Sequence, residues 1–279
     1  MQLSLSCRIA EGFLSKEEAC LTFEQLADIA VSAGYDAICM RASQIGVQSS
    51  AEEVHTARKI LDDRHLKVTM ISGDFDIVYN NERGPNCLRN IKPYLDLADA
   101  LDAPLVRVCI KTQADINAAK HAADQAAERG RTLVHQCHNQ SLFETVSDIV
   151  SKLREIDRPN FALVFEAANL ELCRQDYGII TIRELAPWIQ NVYLQNQQIH
   201  PGGAITLDTW CGGPVSFDTC EIPDPNGIEF GVIFQALKTI GYDGPITVHQ
   251  SAPQDGKLNS EESAALTATF IKEKWGRDA

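Results

Sequence analysis

Short apolar runs alternate with longer amphipathic ones along the whole chain. Leu3 to Cys7 has strand length and an apolar core. Thr22-Phe-Glu-Gln25 has the spacing of a capping box, and Phe23, Leu26, Ala30 and Ala33 follow at helical intervals. Gly34 supplies the helix stop, and Ala37 to Met40 forms the next strand. The same reading predicts a helix over 50–63, a strand from Leu66 to Ile71, and a helix from Cys87 to Leu101 with Leu88, Ile91, Leu95 and Ala98 on one face. Pro104 starts a strand from Leu105 to Ile110, an Ala-rich helix covers about 113–129, and Thr132 to Cys137 is the fifth strand. Ser141-Leu-Phe-Glu144 reads as a second capping box, with Val146, Ile149, Val150 and Leu153 behind it. Then come a strand from Phe161 to Phe165, a short helix opened by Thr181-Ile-Arg-Glu184, and a strand from Val192 to Leu194. A helix from Phe230 to Ile240, a strand from Ile246 to Val248 and a helix over about 260–275 complete the chain.

Eight strands, each followed by a helix, imply a parallel sheet, and eight such units in 279 residues imply closure into a barrel. The expected fold is α/β, a single (β/α)8 barrel over residues 1–279. SAGYDAICM (32–40) and TIGYDGPITV (239–248) echo one another as a helix stop, a turn and a strand. A doubly wound open sheet is the rival, disfavoured because no strand runs into a Gly-x-Gly-x-x-Gly loop. One segment breaks the rhythm. Residues 197–228 are rich in Gly, Pro, Asp and Thr and carry Trp210 and Phe217. So long a connection reads as a lid or pocket wall, the alternative being a surface excursion or a subunit contact.

Composition narrows the function. With 44% hydrophobic residues the chain can fill a core. Its 25 Lys and Arg against 38 Asp and Glu leave a formal charge of −13. That charge disfavours nucleic acid and anionic membrane surfaces as partners. The cysteines, Cys7, Cys20, Cys39, Cys87, Cys109, Cys137, Cys173, Cys211 and Cys220, are odd in number, scattered and without a Cys-x-x-Cys pair. They read as free thiols of a reducing compartment. With no leader-like N-terminus and no membrane-length apolar run, the expected location is cytoplasmic.

In a barrel, chemistry belongs to the C-terminal ends of the strands. The fifth strand ends in His135-Gln136-Cys137-His138-Asn139, the sixth in Glu166-Ala-Ala-Asn169, the seventh in Tyr193-Leu-Gln195-Asn196, and the eighth in His249-Gln250. If Val134 faces the barrel interior, alternation points Gln136 and His138 into the mouth; in the opposite phase His135 and Cys137 take their place. Arg8 and Arg41, just past the first two strands, either bind an anionic substrate group or pair with acids. Each of the others has a structural alternative: Glu166 pairing with Arg107 or Arg174, His249 as a hydrogen-bonded core histidine, Asn169 as a turn residue, Gln195 and Asn196 as loop-backbone partners. His55, His65 and His121 read as surface residues and His200 as exposed.

In three segments the chain resembles the xylose-isomerase-like family of barrels: TFEQLADIAVSAGYDAICMR (22–41), FEAANL (165–170) and NGIEFGVIFQALKTIGYDGPITVHQ (226–250). The resemblance spans nearly the whole chain and implies a TIM barrel acting on sugars as an isomerase, epimerase or dehydratase. It also implies a divalent metal, held by carboxylates on the fifth, sixth and eighth strands and a His or Gln on the seventh. Carried over, these positions are Gln136, Glu166, Gln195 (with Tyr193 competing under a shifted alignment) and His249. His138 and Asn169 match substrate-contacting positions. Two of the family's carboxylates are thus replaced, by Gln136 and His249. Mn or Mg would have less anionic compensation than usual; Zn on His249, Glu166 and His138, or no metal, are the alternatives.

The resulting expectation is proton abstraction next to a carbonyl of a sugar or polyol. His249 or His138 would serve as acid or base, and Glu166 as metal ligand or second base. Gln136, Asn169, Asn196 and Gln195 would hold hydroxyls. A sugar dehydratase is a close variant and a non-catalytic sugar-binding barrel the main rival. A DNA-repair endonuclease is disfavoured by the acidic charge, and hydride transfer by the lack of a phosphate-binding loop. By analogy with the family, a homo-oligomer is expected.

Overall fold

The computed structural model describes residues 1–251 and 258–276. Eight strands run parallel around a closed barrel: β1 (Gln2–Ser6), β2 (Ala37–Arg41), β3 (Lys67–Ser72), β4 (Leu105–Arg107), β5 (Thr132–Gln136), β6 (Phe161–Glu166), β7 (Ile189–Leu194) and β11 (Pro245–Val248), which pairs back to β1. Helices alternate with them on the outside. Three further strands, β8 (Gln197–Ile199), β9 (Ile205–Thr209) and β10 (Gly213–Thr219), form a separate antiparallel sheet with β10 in the middle. No described helix is long and apolar enough to cross a membrane. All nine cysteines are free thiols.

Strand alternation divides the core in two. Leu3, Leu5, Ile38, Met40, Val106, Leu133, Leu163, Phe165, Val192 and Ile246 pack outward against the helices. Cys39, Met70, Leu105, Val134, Ala162, Val164 and Tyr193 fill the barrel. Buried polar side chains near the base pair with one another, as buried polar groups must: Ser4 Oγ with Thr69 Oγ1 at 2.9 Å, and the Thr247 hydroxyl donating to Asn191 Oδ1 at 2.9 Å. With Val134 inside, the fifth strand takes the first of its two phases. His135 faces the helical layer, stacked on Phe143 at 4.2 Å.

Several helix boundaries follow the sequence closely. Thr22 and Gln25 form the expected reciprocal capping box, and Gly34 ends that helix at φ 76°, the left-handed geometry glycine adopts without strain. Three boundaries differ. The helix expected from Cys87 to Leu101 is two, Asn86–Arg89 and Lys92–Leu101. Pro93 lacks an N–H for the Arg89 carbonyl and its ring collides with that turn, so it opens a new helix instead. Thr181 lies inside the helix Ile179–Leu185, bonded to Asp176, rather than at its start.

The expected capping box at Ser141 is absent. Thr145 caps the helix Val146–Ile156, and Ser141 donates to the His138 carbonyl. Glu144 is used elsewhere: its carboxylate accepts from the backbone N–H of Gln140, Trp210 and Cys211. It therefore ties the loop after β5 to the turn between β9 and β10. That three-stranded sheet occupies most of the segment read from sequence as an irregular loop. It packs Phe217, Val215 and Leu207 against Phe13 and Leu172 over the C-terminal end of the barrel.

Removing the Glu144 carboxylate leaves three backbone donors without their acceptor. Glu144→Ala should leave the barrel folded while speeding amide hydrogen exchange at Trp210 and Cys211 by about tenfold or more. Unchanged exchange there would show that the apolar contacts hold the sheet alone.

Candidate active site

Inward-facing residues one step above the apolar layer converge at the C-terminal end. Arg41 tops β2, Arg107 β4, Gln136 β5 and Glu166 β6, while Gln195 follows β7 and His249 follows β11. All line one cavity of about 160 Å³, together with Arg8, Phe13, Lys16, Asn80, His138, Asn139, Asn169 and Leu207. A larger cleft of about 490 Å³ lies at the opposite end, among strand starts such as Gln2, Lys67 and Pro245. That end of such barrels serves stability rather than chemistry.

Glu166 lines this cavity and is 1% exposed. One of its oxygens accepts from the Gln136 and Asn169 side-chain amides. Burial pushes its carboxyl up to about 7, against the opposing pull of Gln136, Arg107, Asn169 and Arg8. Gln136 Oε1 is buried without a partner, an acceptor open to a ligand hydroxyl. His249 stacks on Tyr193 with centroids 3.8 Å apart, and its Nδ1 meets Ser6 Oγ at 3.1 Å. His138 Nδ1 lies 2.8 Å from the Asn139 carbonyl, to which its protonated tautomer donates, and 3.1 Å from Asn80 Nδ2. Burial first, and neighbouring Arg side chains second, hold both histidines well below the usual imidazole range. At neutral pH they are uncharged.

A cationic wall faces them. A short 3-10 turn after β1, Cys7–Ala10, carries Arg8 to the cavity and brings Glu11 beneath it. Glu11 binds Arg41 through two bonds of 2.8 Å, and also Arg8 and Ser43. Burial raises the Glu11 carboxyl, but Arg41 and Arg8 prevail and hold it below the usual carboxylate range. Arg8 further donates to the Phe13 carbonyl and lies over its ring. Arg107 is 2% exposed and has no ion pair or hydrogen bond among the described residues. Lys16 lies over the Tyr79 ring, with its ammonium pushed well below the usual lysine range by burial and by the arginines.

The structure thus brings Arg8, Arg41, Gln136, His138, Glu166, Asn169, Gln195 and His249 to one cavity. Asn196 is the exception. Its amide donates to the carbonyls of Glu221, Ile222 and Asp224 and accepts from Gln197 and Ile228, so it holds the 221–228 loop. Tyr193 points down into the barrel toward Cys39 Sγ at 3.2 Å, which leaves Gln195 as the seventh-strand residue at the cavity. His200 pairs with Asp218 at 2.8 Å in the outer sheet. Glu11 and Lys16 carried no sequence signal. Arg107 did: it ends the fourth strand on the inward phase of Leu105, and sequence reading weighed it only as a partner for Glu166.

The family model described as a xylose isomerase-like TIM barrel matches residues 27–274. An inosose dehydratase from Geobacillus thermodenitrificans is 24% identical over 163 residues, covering 58% of this chain and 54% of that protein. The chain therefore aligns with about half of that relative's length. Among solved structures, a D-allulose 3-epimerase from Methylomonas sp. in complex with D-allulose superposes with TM-score 0.70 at 17% identity, covering 98% of this chain and 97% of that one. A Mycobacterium smegmatis barrel in complex with magnesium has TM-score 0.70 at 16% identity, covering 98% and 96%.

The residues here do not fit a divalent metal. Of the four positions Gln136, Glu166, Gln195 and His249, one carries a carboxylate, and its bonded oxygen is already shared by two amides. The same space is faced by Arg8, Arg41 and Arg107, which already disfavour a single positive charge on His249. A doubly charged ion would meet that repulsion twice over.

Glu11 is the pivot of the cationic wall. Glu11→Gln leaves two buried guanidiniums without their counter-ion and should cost about 3 kcal/mol of unfolding free energy at neutral pH. Because the folded carboxyl lies below its unfolded value, its stabilisation is present above the unfolded value and lost as pH falls through the folded one. Urea melts should show wild type losing more stability than the variant as pH falls below about 4. Equal acid sensitivity would mean the pair contributes nothing.

Proposed function

The chain belongs to the xylose isomerase-like TIM-barrel family, and within it we propose that this protein is an enzyme that moves a proton at the carbon beside a carbonyl of a sugar- or polyol-derived substrate. The observation that carries this reading is Glu166: a buried carboxyl lining the cavity, oriented by two amides and poised at about 7. A group with that pKa exchanges protons efficiently near neutral pH. Glu166 as carboxylate takes the proton from carbon. The negative charge that develops on the carbonyl oxygen meets a cation-lined, water-poor chamber, where electrostatic stabilisation is strong. Return of the proton by Glu166 to the former carbonyl carbon, with the neighbouring hydroxyl proton passing to the other oxygen, gives the isomer.

The acid/base role thus moves from His249 and His138 to Glu166. Neutral imidazoles beside arginines are poor acids; here they orient hydroxyls, as do Gln136, Asn169 and Gln195. A second outcome is favoured by the similarity to an inosose dehydratase. From the same enolate, loss of a β-hydroxyl as water, taking up the proton that Glu166 removed, gives dehydration. The three-stranded sheet over the mouth, with Leu207 on the cavity and its Asp208 carbonyl bonded by Asn139, would act as a fixed roof that excludes water.

Candidate ketoses, inososes and keto sugar acids incubated in D2O should lose a carbon-bound proton by NMR, with isomer or dehydrated product distinguishing the two outcomes. With the substrate so found, kcat/KM should rise with pH through about 7 as Glu166 ionises. Glu166→Gln should lower kcat by about a hundredfold or more and abolish that limb. Retained exchange with an unchanged pH profile in the variant would sink the assignment.

A further inference from the structure

The cavity holds more positive charge than a neutral sugar calls for. Arg8, Lys16, Arg41 and Arg107 line it, against Glu166 and the buried Glu11 that binds two of them. Burial and the arginines push the Lys16 ammonium well below the usual lysine range, and Arg107 makes no hydrogen bond or ion pair among the described residues. Two guanidinium atoms are buried without a hydrogen-bond partner, Arg41 Nη1 and Arg107 Nε. Both residues are almost wholly buried, 0% and 2% exposed, and both line the cavity. An unpaired buried charge costs several kcal/mol, so a fold keeps such a group only where something else meets it. Among the described residues Arg107 makes no hydrogen bond or ion pair, and what offsets its charge is the electrostatic pull of Glu166, a carboxyl that burial pushes up to about 7. The overall charge of −13 gives no general reason for cations to gather, which makes their placement at one point informative.

We propose that the Arg41–Arg107 side of this cavity is a binding subsite for a carboxylate or phosphate group carried by the substrate. The enzyme would then act on an acidic sugar derivative rather than a neutral sugar. This rests on the proton-transfer reading only for the word substrate; the subsite itself rests on the unpartnered guanidinium atoms Arg41 Nη1 and Arg107 Nε. Planar guanidinium forks match the two oxygens of a carboxylate, or of one face of a phosphate. An anion here supplies the missing acceptor to both Arg107 Nε and Arg41 Nη1. It stays clear of Glu11, whose oxygens are taken by Arg41, Arg8 and Ser43. Where relatives place a cation to hold oxygen atoms, this chain would hold them with its own fixed positive charges.

The test is calorimetric titration of four probes: D-gluconate against D-sorbitol, and glucose 6-phosphate against glucose. Wild type should bind at least one anion about tenfold or more tightly than its neutral counterpart, with an affinity that falls as NaCl rises. Preference for gluconate alone, or for the sugar phosphate alone, identifies which anion the subsite takes. In Arg107→Gln, checked for folding by thermal melt, the anion should weaken about tenfold or more while the neutral probe is unchanged. Arg107→Lys, which keeps the charge without the fork, should fall between. If neither anion is preferred over its neutral counterpart by wild type, the proposal is wrong, whatever the variants do. It is equally wrong if a folded Arg107→Gln keeps the full preference. Glu166→Gln separates this from the proton-transfer reading: it should stop exchange yet retain the anion preference. Exchange seen only with neutral sugars would leave the catalytic reading standing and remove this one.

Discussion

Closing eight parallel strands into a barrel forces alternate side chains into an interior with no water, and much else in this molecule follows from that. Apolar residues fill the middle layer. Buried polar side chains near the base pair with one another because no solvent can satisfy them. One layer higher the same alternation places two arginines, a glutamine, a glutamate and a histidine within reach of one another, from strands far apart in sequence. Each is fixed by the register of its strand, not by a flexible loop, and rigid placement is what preorganised chemistry needs.

That burial makes the electrostatics consequential. In water a few arginines and a glutamate would interact weakly; here they reset one another. Burial first and the guanidiniums second hold both histidines well below the usual imidazole range, Arg41 and Arg8 hold the Glu11 carboxyl below its usual range, and desolvation pushes Glu166 up to about 7. The resemblance implied carboxylates around a metal ion; at two of those positions this chain carries Gln136 and His249, and the arginines of the cavity stand beside them.

The outer three-stranded sheet has a different dependence. It adds no strand to the barrel and is joined to it by an apolar patch around Phe217 and Phe13 and by the backbone contacts of Glu144. Sequence reading assigned Glu144 to a helix cap, since Ser-x-x-Glu before an apolar run has the right local spacing. Local spacing says nothing of the unsatisfied N–H groups at Trp210 and Cys211, more than sixty residues on. Asn196 is similar: a polar residue after a strand reads as a site residue until the loop carbonyls around it are seen.

Periodicity and punctuation alone specified the strand–helix alternation, the barrel, most element boundaries, and the strand ends where Glu166, His249, Gln136 and His138 meet. These are local properties, set by spacing of apolar side chains, caps and glycine stops, and they survive without knowledge of neighbours. The phase of the fifth strand, the partners of Arg8 and Arg41, the unpartnered Nε of Arg107 and the titration of Glu166 were decided only by tertiary structure. Each depends on which distant groups share a dry space. Burial and Coulomb interactions act through distance in three dimensions, and the sequence orders residues along only one.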